Sequence, residues 1–573
     1  MKFLDKKIYI ILLLLFILLF ESKVFARDSK IQYTSKDISN YFLGVVSASE
    51  NYNNEAFNYL KKVQLLKDRH TKFNIEFIRT LILLEKFDQA INFSKKIWTQ
   101  NELFYEVDLL LGLDSFIKKD YINAEKHFAR LNRISQYNPF FEDFLGNVLI
   151  AWSKAARGNQ KEDSLKFLEK VPDSYQHLIK IQNTFLECYF DTNETLSFFE
   201  KLVQDKDYNF SRYNFFLANY LLFKNKTIEA EKVIANSREE YNSNLLIKQT
   251  EDFLLNNQNK KIKNFFNCQN PKDSLAEFFY IMANLYSSEK KYRLSNFYLK
   301  ISFYLNNKFI TNKALLAENL YYQGQNQLSK NVYNSLKSIG SVYSWHASKS
   351  VATILLDVKT KKYSIKSLED EFALISNPNF EHYYDLANFY KDNEYFKESI
   401  KYYTLALKEI KKDHTLVSTI FYRRGTGFER IGDWEKAEKD LLQSLKLKPD
   451  QPHVLNYLGY SWIDQGINID EGLEMLEKAT ELRKDDGYII DSLGWAYYAK
   501  KNYIKAEKYL QRAVELLPTD SVINDHYADA LWMLNKNIQA RYFWKHVLKL
   551  ENTEQKLKDI VNKKLIFGII KKI

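Results

Sequence analysis

Small side chains punctuate this chain at a nearly constant interval. Ala56, Ala90 and Ala124 stand 34 residues apart, as do Ala506 and Ala540. The same position continues through Ser164, Thr195, Ala230, Asn264, Ser295, Ser329, Ser364, Ser399, Ala437 and Gly472, at intervals of 31 to 40 residues. The stretch from Gly487 shows what the pattern builds. Leu493–Gly494 falls midway along one predicted helix, Ala506 early in a second, and Leu510 and Ala513 continue the second helix's apolar face. Gly494 and Ala506 are small because two antiparallel helices cross there, and Pro518 ends the unit because proline cannot continue a helix interior.

These residues resemble the tetratricopeptide repeat (TPR), a helix–turn–helix unit of 34 residues. Gly494, Ala506, Ala513 and Pro518 match the eighth, twentieth, twenty-seventh and thirty-second positions of its motif. Neighbouring units carry Gly425, Ala437 and Pro449, then Leu458, Gly459 and Ala479, and finally Ala528, Ala540 and Val547. Early units carry Leu43, Gly44, Ala56 and Leu60, then Leu111, Gly112, Ala124 and Phe128. Between Ser164 and Ser399 the alanine is mostly replaced by serine, threonine or asparagine, but the period survives. All seven prolines fall at or near predicted repeat junctions, and Gly432 and Gly466 fall in turns between paired helices. The resemblance implies an all-α fold, a right-handed superhelix of antiparallel helix pairs. An array of this kind grows in one dimension, so 573 residues read as one continuous solenoid. The expected organisation is a leader at 1–26, divergent repeats at 27–377, regular repeats at 378–550 and a capping helix at 551–573.

The leader is read from its flanks. Lys2, Lys6 and Lys7 precede the apolar run Ile8–Phe20, and Val24-Phe25-Ala26 places small residues where a signal peptidase cuts. The run is shorter than the roughly 20 residues of a membrane span, so an uncleaved inner-membrane anchor is the alternative. No cysteine follows the run directly, which excludes a lipoprotein anchor, and a mature chain starting near Arg27 is expected in the periplasm. The two cysteines, Cys188 and Cys268, lie some two repeats apart, too far for a disulfide in most such arrays, and are expected to be packing residues. The net charge of +11 falls to +9 without residues 1–26, and the lysines are spread over all repeats rather than clustered, which argues against a nucleic-acid partner.

Signatures of chemistry are missing from the sequence: no zincin, P-loop or nucleophile-elbow motif occurs, and the nine histidines are scattered. Asp485-Asp486-Gly487 lacks the other ligands of a calcium loop and reads as a helix N-cap. No cofactor or metal is expected. The tail Thr553–Ile573 mixes apolar residues with six lysines. It reads as a cap on the last repeat, which solenoids need, in preference to a membrane-surface helix.

What remains is a binding groove. In the TPR family the first helix of each unit lines the concave surface, and that register implies three rows here. Tyr422, Asn456, Asp491 and Asp525 form one; Thr426, Tyr460, Trp495 and Asp529 the second; Glu429, Ile463, Tyr498 and Trp532 the third. Aromatic rings supply contact area at little entropic cost, and the acids accept hydrogen bonds from amides, hydroxyls or Lys and Arg. Arg423 and Arg430 are candidates to pair with these acids. Repeats that clamp a C-terminal carboxylate use bases where this chain has acids, so that mode is disfavoured. Asp525 and Asp529 lie one turn apart on one helix, an unsuitable placement for a glycosidase pair, which spans a scissile bond. D-S-L-G-W-A (491–496), N-D-H-Y-A-D-A-L-W (524–532) and A-R-Y-F-W (540–544) also resemble exported TPR proteins of the alphaproteobacterial cell envelope. The function implied is a non-enzymatic periplasmic adaptor for envelope assembly that binds protein partners and is capable of self-association. Glycan or peptidoglycan binding is the alternative.

Overall fold

In a computed structural model of the chain, residues 33–135, 144–240 and 244–569 are described; the expected leader and Pro139 lie outside them. The fold is all-α, with 31 α-helices among the described residues and no strand. The helices form antiparallel pairs, from Ser35–Ser49 with Asn53–Leu60 to Ser521–Met533 with Asn537–Lys549, followed by a single helix Gln555–Phe567. None is long and apolar enough to cross a membrane.

The periodic small residue sits early in the second helix of each pair and is fully buried in most of them. The reason is close approach. A Cβ on Gly494 would lie 2.6 Å from Leu510 Cγ, so the helices touch only because that atom is missing. The middle repeats tolerate serine through a different device: Ser295 and Ser329 donate at 2.7 Å to the carbonyls of Ala283 and Ala317 on the partner helix. A hydroxyl that reaches a helical carbonyl is buried at little cost. One position is corrected: Asn264 is exposed, and Ile262, fully buried, takes the crossing point. The turns between paired helices carry a left-handed residue, Gly432 and Gly466 in two units but Asn51, Lys501 and Asn535 in others.

The chain divides into two compact units, Met1–Ile354 and Leu355–Ile573. In the first, the solenoid turns back on itself. The helices Pro271–Ser288 and Tyr292–Leu305 pack against the first helices of earlier pairs, including Thr71–Leu83, Leu145–Ala156 and Gln176–Tyr189. The Tyr105 and Tyr298 hydroxyls meet at 2.6 Å, and Arg293 reaches Glu76 at 2.8 Å. Arg212 binds the buried Glu277 carboxylate with two bonds of 2.7 and 2.9 Å, and also Asn312 at 2.8 Å. One apolar core runs from Leu60 to Ile354 as a result.

That folding-back also corrects the reading of the cysteines. Cys188, on Gln176–Tyr189, and Cys268, just before Pro271–Ser288, form a disulfide with Cα atoms 5.8 Å apart. They are 80 residues apart in sequence, yet Gln176–Tyr189 and Pro271–Ser288 are neighbours.

In the second unit, five helix pairs follow one another, from Phe380–Asp392 with Phe396–Glu409 to Ser521–Met533 with Asn537–Lys549. Gln555–Phe567 then packs on Asn537–Lys549, the last of their helices. Its Val561 is fully buried, beside partly buried Leu557 and Leu565.

Candidate functional site

The predicted rows lie on four successive first helices, Leu416–Arg430 with Tyr422, Thr426 and Glu429, then Pro452–Asp464, Gly487–Ala499 and Ser521–Met533. Local sequence sets where the last three begin. Pro452 stands in the first turn of one; Asp486 and Asp520 cap the other two by accepting hydrogen bonds from the first backbone amides. Asp486 is therefore the N-cap anticipated from the sequence.

The candidate residues fall into three clusters. Upstream, Tyr422 meets Tyr457 edge to face at 6.2 Å, and the Tyr457 hydroxyl donates to Glu429 at 2.7 Å. The Asn456 amide oxygen is shielded from solvent and accepts no hydrogen bond from the chain. Tyr460 is half-buried; burial, with Asp464 and Asp491 nearby, pushes its hydroxyl up to about 12.

At the centre, Trp495 stacks on Tyr498 at 4.6 Å and on His526 at 4.0 Å, and His526 Nδ1 lies 3.0 Å from Asp491. Burial by itself would lower the His526 pKa, but the Asp491 charge and hydrogen bond outweigh it and hold the imidazole above its ordinary value. Burial also raises the Tyr498 hydroxyl, reinforced by the charge of Asp529.

Downstream, the acids are already occupied. Lys564 of the terminal helix donates to both oxygens of Asp525 at 2.9 and 2.7 Å and to Asp529 at 2.7 Å. Trp544 Nε1 donates to the other oxygen of Asp529 at 3.0 Å. Burial and the neighbouring Asp525 charge raise the Asp529 carboxyl to about 6, against the pull of Lys564. Trp532 lies 5.3 Å from Trp544, under the Arg541 guanidinium and against Gly568.

Two expectations change. Arg423 and Arg430 do not reach the groove acids: Arg423 donates to Asn388 and lies over Tyr384, while Arg430 sits 3.7 Å from Glu429. The carboxylates Asp525 and Asp529 share Lys564, an arrangement that holds the chain's own tail, and Asp529 alone accepts the Trp544 indole N–H. The residues that sequence reasoning missed are His526, Lys564, Trp544 and Arg541. His526 was visible inside N-D-H-Y-A-D, one place beyond the fifth motif position. Lys564 carries no repeat signal, because it lies beyond the last unit. Among the described residues, no group of three or more His, Cys, Asp or Glu side chains could hold a metal ion.

Comparison with known proteins identifies the repeats directly. The tetratricopeptide repeat family matches residues 381–413 and 489–520. A TPR repeat-containing protein of Pseudomonas aeruginosa is 33% identical over 117 residues, a match that spans 20% of the length of each protein. Among solved structures, MamA residues 41 to the end from Desulfovibrio magneticus RS-1 is 18% identical, covers 32% of this chain and 99% of that one, and gives a TM-score of 0.28. The Cut9–Hcn1 hetero-tetramer of the APC/C is 15% identical, with 93% and 97% coverage and a TM-score of 0.36. The C-terminal part of a TPR repeat-containing protein of Cytophaga hutchinsonii is 18% identical, with 38% and 87% coverage and a TM-score of 0.30. This chain thus carries TPR repeats in an all-α solenoid, a scaffold that generally mediates protein–protein interaction and is typically non-enzymatic.

Proposed function

We propose that the C-terminal unit is a docking surface for an extended or helical segment of a partner protein, held along Asn456, Tyr460, Asp491, Trp495, Tyr498 and His526. The observation that carries this reading is a difference at identical motif positions. In the third repeat the fifth, ninth and twelfth positions are Leu109, Leu113 and Phe116, all buried inside their own unit. In the fourteenth they are Asp491, Trp495 and Tyr498, polar or aromatic, the two rings still partly open to solvent. The stacking of Trp495 on Tyr498 and His526, and of Trp532 beside Trp544, leaves less aromatic surface for a sugar and favours a protein ligand over a glycan.

The compartment we propose is the bacterial periplasm, with a role in envelope assembly after removal of residues 1–26. The basic-then-apolar N-terminal pattern supports export. The pairing of the chain's only two cysteines supports an oxidising destination, since thiols stay reduced in most cytosols.

Photocrosslinking in cells tests the surface. A photoreactive residue at Tyr498 is expected to give a discrete protein adduct, and one at Lys508, on the second helix of the same pair, none. Equal labelling at both, or none at Tyr498, would remove the docking surface.

A further inference from the structure

The last repeat already displays a bound ligand, and that ligand belongs to the chain itself. The segment Lys564–Ile569 crosses the positions expected to face a partner. Lys564 engages the fifth- and ninth-position acids, Asp525 and Asp529, with three hydrogen bonds of 2.7 to 2.9 Å. Arg541 donates to the Leu565 carbonyl near the end of the terminal helix. Gly568 ends that helix with φ +70° and rests on Trp532 of the twelfth position so closely that a Cβ there would fall 2.1 Å from the indole Cζ2. Ile569 joins the apolar cluster of the last repeats.

The charges do not balance. Two nearly buried carboxylates face one lysine, whose side chain is itself only 16% exposed. The tail therefore brings one positive charge to two carboxylates, and Asp529 takes its second hydrogen bond from the neutral Trp544 indole. One repeat upstream, the fifth-position acid Asp491 meets a basic side chain as well, the imidazole of His526 at 3.0 Å. Both contacts put a basic side chain on a fifth-position carboxylate.

We infer that Lys564–Ile569 is an internal pseudo-ligand, and that the partner recognised by this surface presents a lysine or arginine to Asp525 and Asp529, with a small or flat residue against Trp532, displacing the tail. The inference rests on the docking surface proposed above and names its ligand chemistry. Competition with a tethered segment also gives control, because only a partner able to replace Lys564 gains the last repeat.

The test uses the full chain and a labelled peptide with the sequence of residues 553–573. Gly568→Val expels the tail by steric conflict with Trp532 while leaving the acids in place. Fluorescence anisotropy is expected to show the peptide binding the Gly568→Val chain at least tenfold more tightly than the wild type. A peptide with Lys564→Glu is expected to lose that binding, as is a chain that adds Asp525→Asn and Asp529→Asn to Gly568→Val. Equal affinity for wild type and Gly568→Val, or binding indifferent to Lys564→Glu in the peptide, would overturn the proposal. Should Gly568→Val reduce the helical circular dichroism, Lys564→Glu in the full chain replaces it, with the same two results decisive. Retention of the Tyr498 crosslink alongside a failed peptide result would reject the pseudo-ligand and leave the docking surface standing.

Discussion

The two units of this protein use one repeat to opposite ends. In the N-terminal unit, first helices such as Tyr105–Ile117 and Tyr213–Phe223 are buried almost all round, because helices from later pairs fill the surface they would otherwise present. In the C-terminal unit, a first helix such as Phe380–Asp392 buries only Leu386, Ala387 and Tyr390. A helix apolar on every side must be enclosed, whereas one with a single apolar stripe keeps a face for other work. A solenoid can thus spend its concave surface on its own stability or keep it for a partner; this chain fills it in the N-terminal unit, while in the C-terminal unit Phe380–Asp392 keeps an open face and Gly487–Ala499 and Ser521–Met533 are more enclosed.

The comparison breaks most visibly at the buried ion pair. Arg212→Met strands the Glu277 carboxylate, which is fully buried, and should cost about 3–5 kcal/mol in the N-terminal unit. Lys500→Ala in the C-terminal unit removes a contact to an exposed Asp470 and should cost under about 1 kcal/mol. Urea denaturation of each variant, followed by unit-specific proteolysis, checks both. Reduction of Cys188–Cys268, or Cys188→Ala with Cys268→Ala, comes next at about 2–4 kcal/mol, confined to the N-terminal transition. Gly494→Val should destabilise the C-terminal unit by about 1–3 kcal/mol through collision with Leu510.

The smallest effect is a pH dependence of the C-terminal unit. His526 has a raised folded-state pKa, so its contribution is complete below the unfolded value near 6.5 and is lost as pH rises through the folded value. Asp529 is raised to about 6 from 3.8, so the penalty for its buried charge fades as pH falls from about 6 towards 4. For these two groups stability rises on acidification from pH 8 to pH 4. Thermal melts of wild type and His526→Gln should converge above the folded pKa of His526 and separate below it.

Much of the fold was legible because it is local. The crossing of paired helices demands a small residue, and the demand recurs with the period whether it is met by Ala506, Gly472 or a hydroxyl such as Ser295 that finds a carbonyl. Asn264 misled because that unit's second helix is short and meets its partner through Ile262. The folding-back of the N-terminal unit was written in first helices that are apolar on more than one side, Y-E-V-D-L-L-L-G-L-D-S-F-I and Y-N-F-F-L-A-N-Y-L-L-F, rather than in the motif positions. The disulfide escaped because repeats distant in sequence become neighbours only through that turn. At the candidate site the rows were legible from register, and Asp491, Trp495 and Tyr498 share one cluster. Lys564 was not, since a tail beyond the array has no register to read.

The measurement that bears most directly on this account is native-state hydrogen exchange, resolved by helix, with and without a reductant. Helices Thr71–Leu83, Tyr105–Ile117, Leu145–Ala156 and Pro271–Leu305 should open with one shared free energy that falls together on reduction. Helices of the C-terminal unit should instead open repeat by repeat and ignore the reductant. Independent opening of Tyr292–Leu305 ahead of the helices it packs against, or a C-terminal unit that exchanges as a single block, would contradict the division between a folded-back unit and a repeat-by-repeat one.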